Sequence, residues 1–599
     1  MAFNKYEDVL SISKFAGINQ NTDGHNQNMG YAVGGLNFDT SRGGLKPFHK
    51  AVRISSQSAA GVDASLPLSA SGDGALTLAF MTRRWQLDAG IIGKADSYTN
   101  KYCIVVVDGR LYYRRSAQGT FDGCAWTEIL NPATGLSFAF AQSKFDCITY
   151  ELNYFPPVTI TSQIIAAIYA GSTYFTFDLK DYDFYEVHSD DGLTAYYTDR
   201  HDKKHDLTST SQVRAQSAEA PMDCLLMTNA QDGMYCIYSL LDTGELKIAR
   251  VPVMPDGTTQ EICFGALARY AERIWGTAID TDPDKLMYSA PYDVFNWEQY
   301  NDVPENGAGD IQQPNWDGDK FVAIKQFGSN LLAIKQHAIW RITGTNPSEF
   351  NMRKQYGEGT IAEDSLVVNG AYAYMLTDDD VKVYDGSSTQ HYRYAWVKDF
   401  LSGLMTDEAS LHSIIGRMVQ DRYVLQIRHD YEDHIFLIFN VVEGTVNVCQ
   451  SEGATALETF GEELYGLYPE STYDSEGHVT GTYVQLGKFL TDQGEQFDVE
   501  WVSAWIDLGL KHVIKSGFLL YLMFDCEGNP QNATINPTVT MMSEKKVKEK
   551  TVVMPYNRVK RIRLNANGRQ FKLKLNIPAQ SKEWKISTGI QIYLEYDAD

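Results

Sequence analysis

Residues 321–344 read FVAIKQFGSNLLAIKQHAIWRITG. Two near-identical apolar runs, Phe321 to Gln326 and Leu331 to Gln336, flank Phe327-Gly328-Ser329-Asn330. Gly and Asn supply the positive φ of a tight reversal, so the stretch predicts a β-hairpin. The second run continues through His337-Ala338-Ile339-Trp340-Arg341-Ile342 and stops at Thr343-Gly344. Ile339 and Arg341 alternate with Trp340 and Ile342, the pattern of a strand with two unlike faces. Trp340 is expected to be buried beside Ile342 or Leu332.

The rhythm carries on over residues 366–386, LVVNGAYAYMLTDDDVKVYDG. Asn369-Gly370, then Thr377 to Asp380, then Asp385-Gly386 punctuate short apolar runs. Strands recurring every ~8–12 residues with turn chemistry between them predict an all-β meander, of propeller-blade type or in a sandwich.

Working outward, the same rhythm starts near residue 70. Ala75 to Met81, Tyr102 to Val107 and Leu111 to Arg115 are apolar runs, the last two joined by Asp108-Gly109-Arg110, a strong hairpin signal. Phe138 to Phe155 is expected to continue the series. Residues 156–220 differ. They are rich in Tyr, Asp, Ser and Thr and predict an elaborated insertion or long loop, a usual place for partner contact. Strands resume at Cys224 to Thr228 and Met234 to Leu241. They recur at Tyr423 to Ile427, Ile435 to Phe439, Val446 to Gln450, Leu464 to Tyr468 and Thr482 to Phe489. Residues 1–50 are rich in Gly and Asn and predict an extended N-terminal arm. Near 490–500 the composition turns basic. Arg561-Ile562-Arg563-Leu564 and Phe571-Lys572-Leu573-Lys574-Leu575 place apolar side chains on one strand face and cations on the other. The domain reading is an arm over 1–50, a β-propeller over 51–495 interrupted at 156–220, and a β-sandwich over 496–599.

Several of these stretches resemble the β-propeller tail nozzle proteins of short-tailed phages, also called tail tubular protein B or packaged-DNA stabilisation hub proteins. The likeness rests on the hairpin ending in Trp340-Arg341-Ile342 and on Gly359-Thr360-Ile361-Ala362 with Ser365. It includes the later Val383-Tyr384-Asp385-Gly386, Arg273-Ile274-Trp275-Gly276, Asp282-Pro283 through Leu286, Tyr288-Ser289-Ala290, and Asn296-Trp297. The opening lines around Asn37-Phe38 and Gly44-Leu45-Lys46-Pro47 are also similar, and the likeness covers most of the chain outside 156–220. The resemblance implies a homo-oligomeric ring, sixfold in that family, below the portal and adaptor of a virion. Such a ring extends the DNA channel, helps retain the genome and allows its ejection. Its implied partners are adaptor and portal-side tail proteins and tail fibres or spikes, with DNA passing through unread. It implies no enzyme and no cofactor.

Composition bounds the alternatives. The 599 residues leave room for several structural units. Tyr (36) far exceeds Trp (10), which suits strands and wet interfaces. The formal charge of −24 disfavours non-specific nucleic-acid binding by the chain as a whole. The eight Cys contain no C-x-x-C pair, against zinc chemistry and a disulfide framework, so buried reduced thiols are expected. The N-terminal Met-Ala-Phe-Asn-Lys-Tyr-Glu-Asp carries charge where a signal peptide needs an apolar core, and Ile164 to Ala170 is too short to cross a bilayer. Synthesis in a cytoplasm and no membrane insertion are expected.

Candidate chemistry is sparse. His188, Asp190, Gly192 and Thr194 copy the spacing of an Asp-box, a hairpin turn of sialidase-like propellers. His201 and His205 stand at metal-sharing helical spacing, but no apolar periodicity makes a helix there. Asp280 to Asp284, Asp317 with Asp319, and Asp378 to Asp380 offer carboxylates to Ca²⁺ without an EF-hand pattern, and turn duty accounts for them. There is no G-x-S-x-G, P-loop or Rossmann fingerprint. No catalytic, cofactor or metal residue is therefore assigned. The candidate docking residues are Lys545, Lys546, Lys548, Lys550, Arg561 and Arg563, a basic face suited to an acidic neighbour. Two further readings stay open: a propeller that binds or degrades carbohydrate on a host surface, and a hub or ring component of a longer tail.

Overall fold

The computed structural model describes the chain apart from 1–4, 13, 17, 19–31, 42–43, 57–65, 69–75, 87–96, 153, 160–173, 178–184, 189–194, 199–203, 208–211, 217–221, 240–243, 256–259, 301–302, 313–318, 379, 392–396, 399, 402–413, 430–432, 476–478, 507–512, 528–532 and 598–599. The protein is all-β and built from β-propeller blades, most of them four-stranded antiparallel sheets. Two compact units divide it. One holds Ser55–Gly359 and Ser471–Tyr483, the other Met1–Ile54, Thr360–Glu470 and Val484–Asp599.

The first unit carries four blades. Blade 1 runs Thr77–Gln86, Ser97–Val107, Arg110–Ser116 and Thr127–Glu128. Blade 2 runs Asp146–Leu152, Met222–Asn229, Gly233–Ser239 and Leu246–Val251. Blade 3 runs Ala266–Tyr270, Arg273–Thr277, Lys285–Tyr288 and Gly309–Gln312. Blade 4 runs Phe321–Phe327, Asn330–Lys335, Ile339–Thr343 and Asn351–Lys354.

The predicted hairpins are present with the predicted turns. Phe327 pairs with Asn330, and Gly328 has φ 57°. Val107 pairs with Arg110, and Asp108 and Gly109 take φ 49° and 70°, the double positive φ of a type I′ turn. Apolar clusters fill the space between successive blades. Ile104 and Leu111 meet Leu225 and Ile237, Leu226 meets Leu267 and Ile274, and Trp275 and Leu286 meet Phe321 and Leu331.

Two details differ from the sequence reading, and the form of the insertion adds a third. Phe138 and Phe140 are not in a strand; their rings stack 4.7 Å apart and pack on Tyr235. Aromatic bulk covers the blade there without a ladder. Trp340 is only half-buried: it pairs with Ala333 on the third strand of its blade and packs against the apolar cluster between blades 3 and 4 without being enclosed by it. Between the first and second strands of blade 2, the described residues of the insertion form two small sheets. A ladder of Tyr154–Thr159 with Gln212–Gln216 precedes and follows a four-stranded meander of Tyr174–Phe177, Tyr185–His188, Ala195–Thr198 and Lys204–Leu207.

The second unit carries three blades and a sandwich. Blade 5 runs Val367–Asn369, Tyr372–Leu376, Val381–Tyr384 and Thr389–His391. Blade 6 runs Ile415–Val419, Arg422–His429, Asp433–Asn440 and Thr445–Gln450. The last blade in the series begins Ala456–Phe460, Glu463–Tyr473 and Val479–Phe489, and Val52–Arg53 pairs on its far side. A strand that precedes the first blade in sequence is thus built into the last one.

Of the sandwich, one sheet orders Lys5–Ile12, Ile590–Asp597, Lys515–Leu522 and Lys560–Gly568. The other orders Ala32–Leu36, Val499–Ser503, Phe571–Ile577, Thr538–Ser543 and Val547–Thr551. The rings of Phe518 and Phe571 meet 4.0 Å apart between them. Among the described residues of the N-terminal stretch, the two longer strands are edge strands of these C-terminal sheets.

Candidate functional site

The cations singled out in the sequence lie on and beside two abutting edge strands of the sandwich. Val547–Thr551 ends one sheet, Lys560–Gly568 ends the other, and the two edge strands abut. Lys560–Gly568 alternates strictly: Ile562, Leu564 and Ala566 are buried, while Arg561 and Arg563 stand on the outer face opposite Tyr521 and Leu519. Lys548 pairs with Met541, and Lys550 pairs with Val539. Paired residues share a face, and Met541 and Val539 are core residues. Lys548 and Lys550 therefore lie on the inward face of their sheet, at its rim, where charge can still reach water. Inward lysines on an edge strand also deter the addition of a further strand. Lys545 and Lys546 sit at the turn of the same hairpin.

With Arg558 and Lys560 this strip holds eight cations. Among the described residues none of the eight forms an ion pair. The neighbouring cations behave otherwise: Lys574 pairs with Glu500 at 2.6 Å, and Lys572 lies 4.9 Å from the centre of the Trp505 ring. Three valines in the same segment are well exposed, Val547 at 61%, Val553 at 60% and Val559 at 62%.

A second group of charges lies on the first strands of blades 2, 3 and 4, which pack against one another from blade to blade. Asp146 accepts the Leu267 N–H at 2.6 Å and the Lys325 ammonium at 3.5 Å. Glu151 stands 3.9 Å from Arg269, whose guanidinium lies 5.5 Å from the centre of the Tyr150 ring. Asp146 and Glu151 are five residues apart on one strand, or about 17 Å. Paired glycosidase carboxyls stand about 5–9.5 Å apart, so these two do not make such a pair with each other.

The remaining candidates serve the fold. Asp284 accepts the Lys335 ammonium at 3.0 Å, Asp282 accepts the Gln312 amide, and Asp319 accepts the Gln336 and His337 N–H groups. Asp380 is buried in the turn closed by Thr377. Asp317 and Asp379 lie outside the described residues. Among the described residues no group of three or more His, Cys, Asp or Glu could hold a metal ion. His205 is in a strand opposite Tyr197, and His201 lies outside the described residues. His188 ends one strand of the insertion sheet, and Asp190, Gly192 and Thr194 lie outside the described residues. All eight cysteines are free, with Cys103, Cys224, Cys236 and Cys449 buried. Burial pushes the Cys103 thiol up to about 12, which makes it inert. No helix among the described residues is long and apolar enough to cross a membrane.

Sequence reasoning missed Arg273 as a structural clamp. It is buried and donates to the carbonyls of Ser289 at 2.8 Å, Gly307 and Glu305. Its acceptors stand 16 to 34 residues away, beyond any local pattern.

No family model and no curated protein sequence matches this chain. Among solved structures it is similar to an exo-β-1,3-galactanase from Phanerochaete chrysosporium, at 9% identity over 91% of this chain and 100% of that one, TM-score 0.22. It is similar to an engineered GH43 glycoside hydrolase with endo-xylanase and exo-arabinofuranosidase activity, at 8% identity over 55% and 96%, TM-score 0.19. It is also similar to the Pan2 WD40 domain of Neurospora crassa, at 11% identity over 57% and 98%, TM-score 0.25. At these identities and TM-scores the likeness assigns no activity, substrate or partner to this chain. One expectation is corrected: two of the three structures are glycoside hydrolases, so the exclusion of enzymatic activity for this chain is withdrawn.

Proposed function

We propose that this chain is a ring-forming component of a phage virion, a tail nozzle or hub subunit that extends the DNA channel. One observation carries the reading: the family-like segments fall in order on consecutive blades. Arg273 to Gly276 and Asp282 to Ala290 belong to blade 3, the 321–344 hairpin to blade 4, and the text from Gly359 to Gly386 leads into and builds blade 5. The acid excess of the chain also suits a bore through which DNA must slide, since repulsion from all sides leaves a duplex mobile. On this reading the partners are further copies of the chain in a ring (six by resemblance), portal-side adaptor proteins, and fibres or spikes. The site of action is the virion. Electron microscopy of the purified full-length protein tests this. Rings with an axial hole are expected; a strictly monomeric particle at micromolar concentration overturns it.

A second reading is a propeller that binds or cleaves carbohydrate. Glu151, Arg269 and Tyr150 support it, because a half-exposed carboxylate, a guanidinium and an aromatic ring are groups that hold sugar hydroxyls and ring faces. Turnover of a polysaccharide that is lost in Glu151→Gln would establish this reading; retained turnover in that variant would exclude this site.

A further inference from the structure

We infer that the basic open side of the sandwich is a contact for an acidic surface on a second copy of this chain. The inference rests on the ring reading and names a surface that reading leaves undefined. Three observations converge. First, Lys545, Lys546, Lys548, Lys550, Arg561 and Arg563, with Arg558 and Lys560, line two abutting sheet edges and are unneutralised among the described residues. Glu544 and Glu549 are the acids interspersed with them, and Glu549 accepts the Thr540 hydroxyl at 3.3 Å. Like charges on two abutting edge strands repel one another, and a counter-charge from outside relieves that.

Second, the charge complement is present in the same polypeptide. Residues 499–599 hold 15 Lys and Arg against 10 Asp and Glu, while the whole chain holds 52 against 76. The acid excess therefore lies in residues 1–498. A basic patch on one copy facing an acidic patch on the next is a heterologous contact, the kind that builds rings rather than isologous dimers.

Third, Val547, Val553 and Val559 stand exposed within the same segment. A phosphodiester backbone gains nothing from valines, whereas a protein surface buries them. This favours a protein partner over a nucleic acid for the same cations.

Mass photometry of the full-length protein across a salt series tests the assignment, with Lys548→Glu, Lys550→Glu, Arg561→Glu and Arg563→Glu combined in one variant. Wild type is expected to self-associate at about 50 mM salt and to weaken at about 500 mM, as the Debye length shortens. The reversed variant is expected to associate at least about tenfold more weakly. Replacing the same four by Gln should give an intermediate loss and a shallower salt dependence, and decides the matter if the Glu variant fails to fold. Val547→Ser with Val553→Ser and Val559→Ser should also weaken association. An oligomer unchanged by either charge variant overturns this inference and leaves the ring reading standing. A wild type that stays monomeric at every salt concentration overturns the ring reading and this inference with it. Salt-sensitive binding of a short DNA duplex, lost in the charge variants while self-association persists, would assign the strip to nucleic acid instead.

Discussion

Replacing Lys335 should damage the protein far more than replacing Lys325, although the two occupy the same place in a repeated Ala-Ile-Lys-Gln. The Lys335 ammonium lies 3.0 Å from Asp284, donates to the Asp319 carbonyl at 2.8 Å, and sits 4.8 Å from the centre of the Phe321 ring. The two side chains of the ion pair are 5% and 16% exposed. Lys335→Met keeps the apolar stem and removes the charge. Breaking a buried pair costs about 3–5 kcal/mol, because the remaining charge loses its partner. Asp284 retains some access to water, which places the cost near the lower end, about 3 kcal/mol. The Lys325–Asp146 pair is looser, at 3.5 Å, with side chains 34% and 19% exposed. Asp146 would also keep the Leu267 N–H, so Lys325→Met should cost less than about 1 kcal/mol. In a chain of two units a single melting midpoint is not a two-state quantity, so the readout is native-state hydrogen exchange of the strand Asn330–Lys335. About 3 kcal/mol corresponds to roughly a hundredfold loss of protection. Adding Asp284→Asn to Lys335→Met should recover much of it by removing the orphaned carboxylate. Equal effects of the two lysine variants, or no recovery in the double variant, would refute the assignment of a buried charge pair.

Three other outcomes are expected. Asp385 accepts the N–H groups of Ser387 and Ser388 and the Ser387 hydroxyl, which hold its carboxyl down at about 2, from an ordinary 3.8. The stability it contributes is full above about pH 4 and is lost as pH falls through about 2, so the gap in hydrogen-exchange protection of Val381–Tyr384 between wild type and Asp385→Asn should close across that window. Gly276→Ala would drive a methyl group into the Phe264 ring and should destabilise blade 3 by about 1–3 kcal/mol, read as faster exchange in Arg273–Thr277; unchanged exchange would show that the ring can move aside. The free protein should bind duplex DNA no more tightly than about 10⁻⁴ to 10⁻⁶ M at physiological salt, measured by fluorescence anisotropy, and nanomolar binding lost on charge reversal of the basic strip would contradict a passive channel.

What could be read from the sequence was local. Gly328, Gly370 and Asp108-Gly109 each help close a two-residue reversal between strands that pair directly, so residue type, dihedral angle and partner all lie within a few positions. The blades follow from those hairpins. The strands that escaped are short or paired far away in sequence. Val52–Arg53 is two residues long, too short to show any alternation, and its partners are Gly487 and Lys488. Ala32–Leu36 contains two glycines, and the Cβ that Gly35 lacks would meet the Glu500 carbonyl, so close approach rather than hydrophobicity holds it in the sheet. The insertion sheet is made of four-residue strands with Tyr and Asp between them, and polarity masked its ladders.

The same distinction governs the candidate site. Alternation in Lys560–Gly568 assigned Arg561 and Arg563 to the outer face correctly, since a strand with a buried neighbour has only two sides. It could not assign Lys548 and Lys550. Their orientation depends on register, because a lysine opposite Met541 inherits the inward face and one residue of slip would turn it outward. That register also decides what the lysines do. On an outer face they would be two more solvated charges. At the rim of the core Lys550 is exposed, while Lys548 is half-buried, so that its stem has less room than a fully solvated one. A cation restrained in this way has less conformational freedom to lose when a carboxylate arrives than one on a mobile surface. On the proposed contact, the side of the sandwich that resists the addition of a strand is thus also the side that meets an acidic side chain, and one register enforces both.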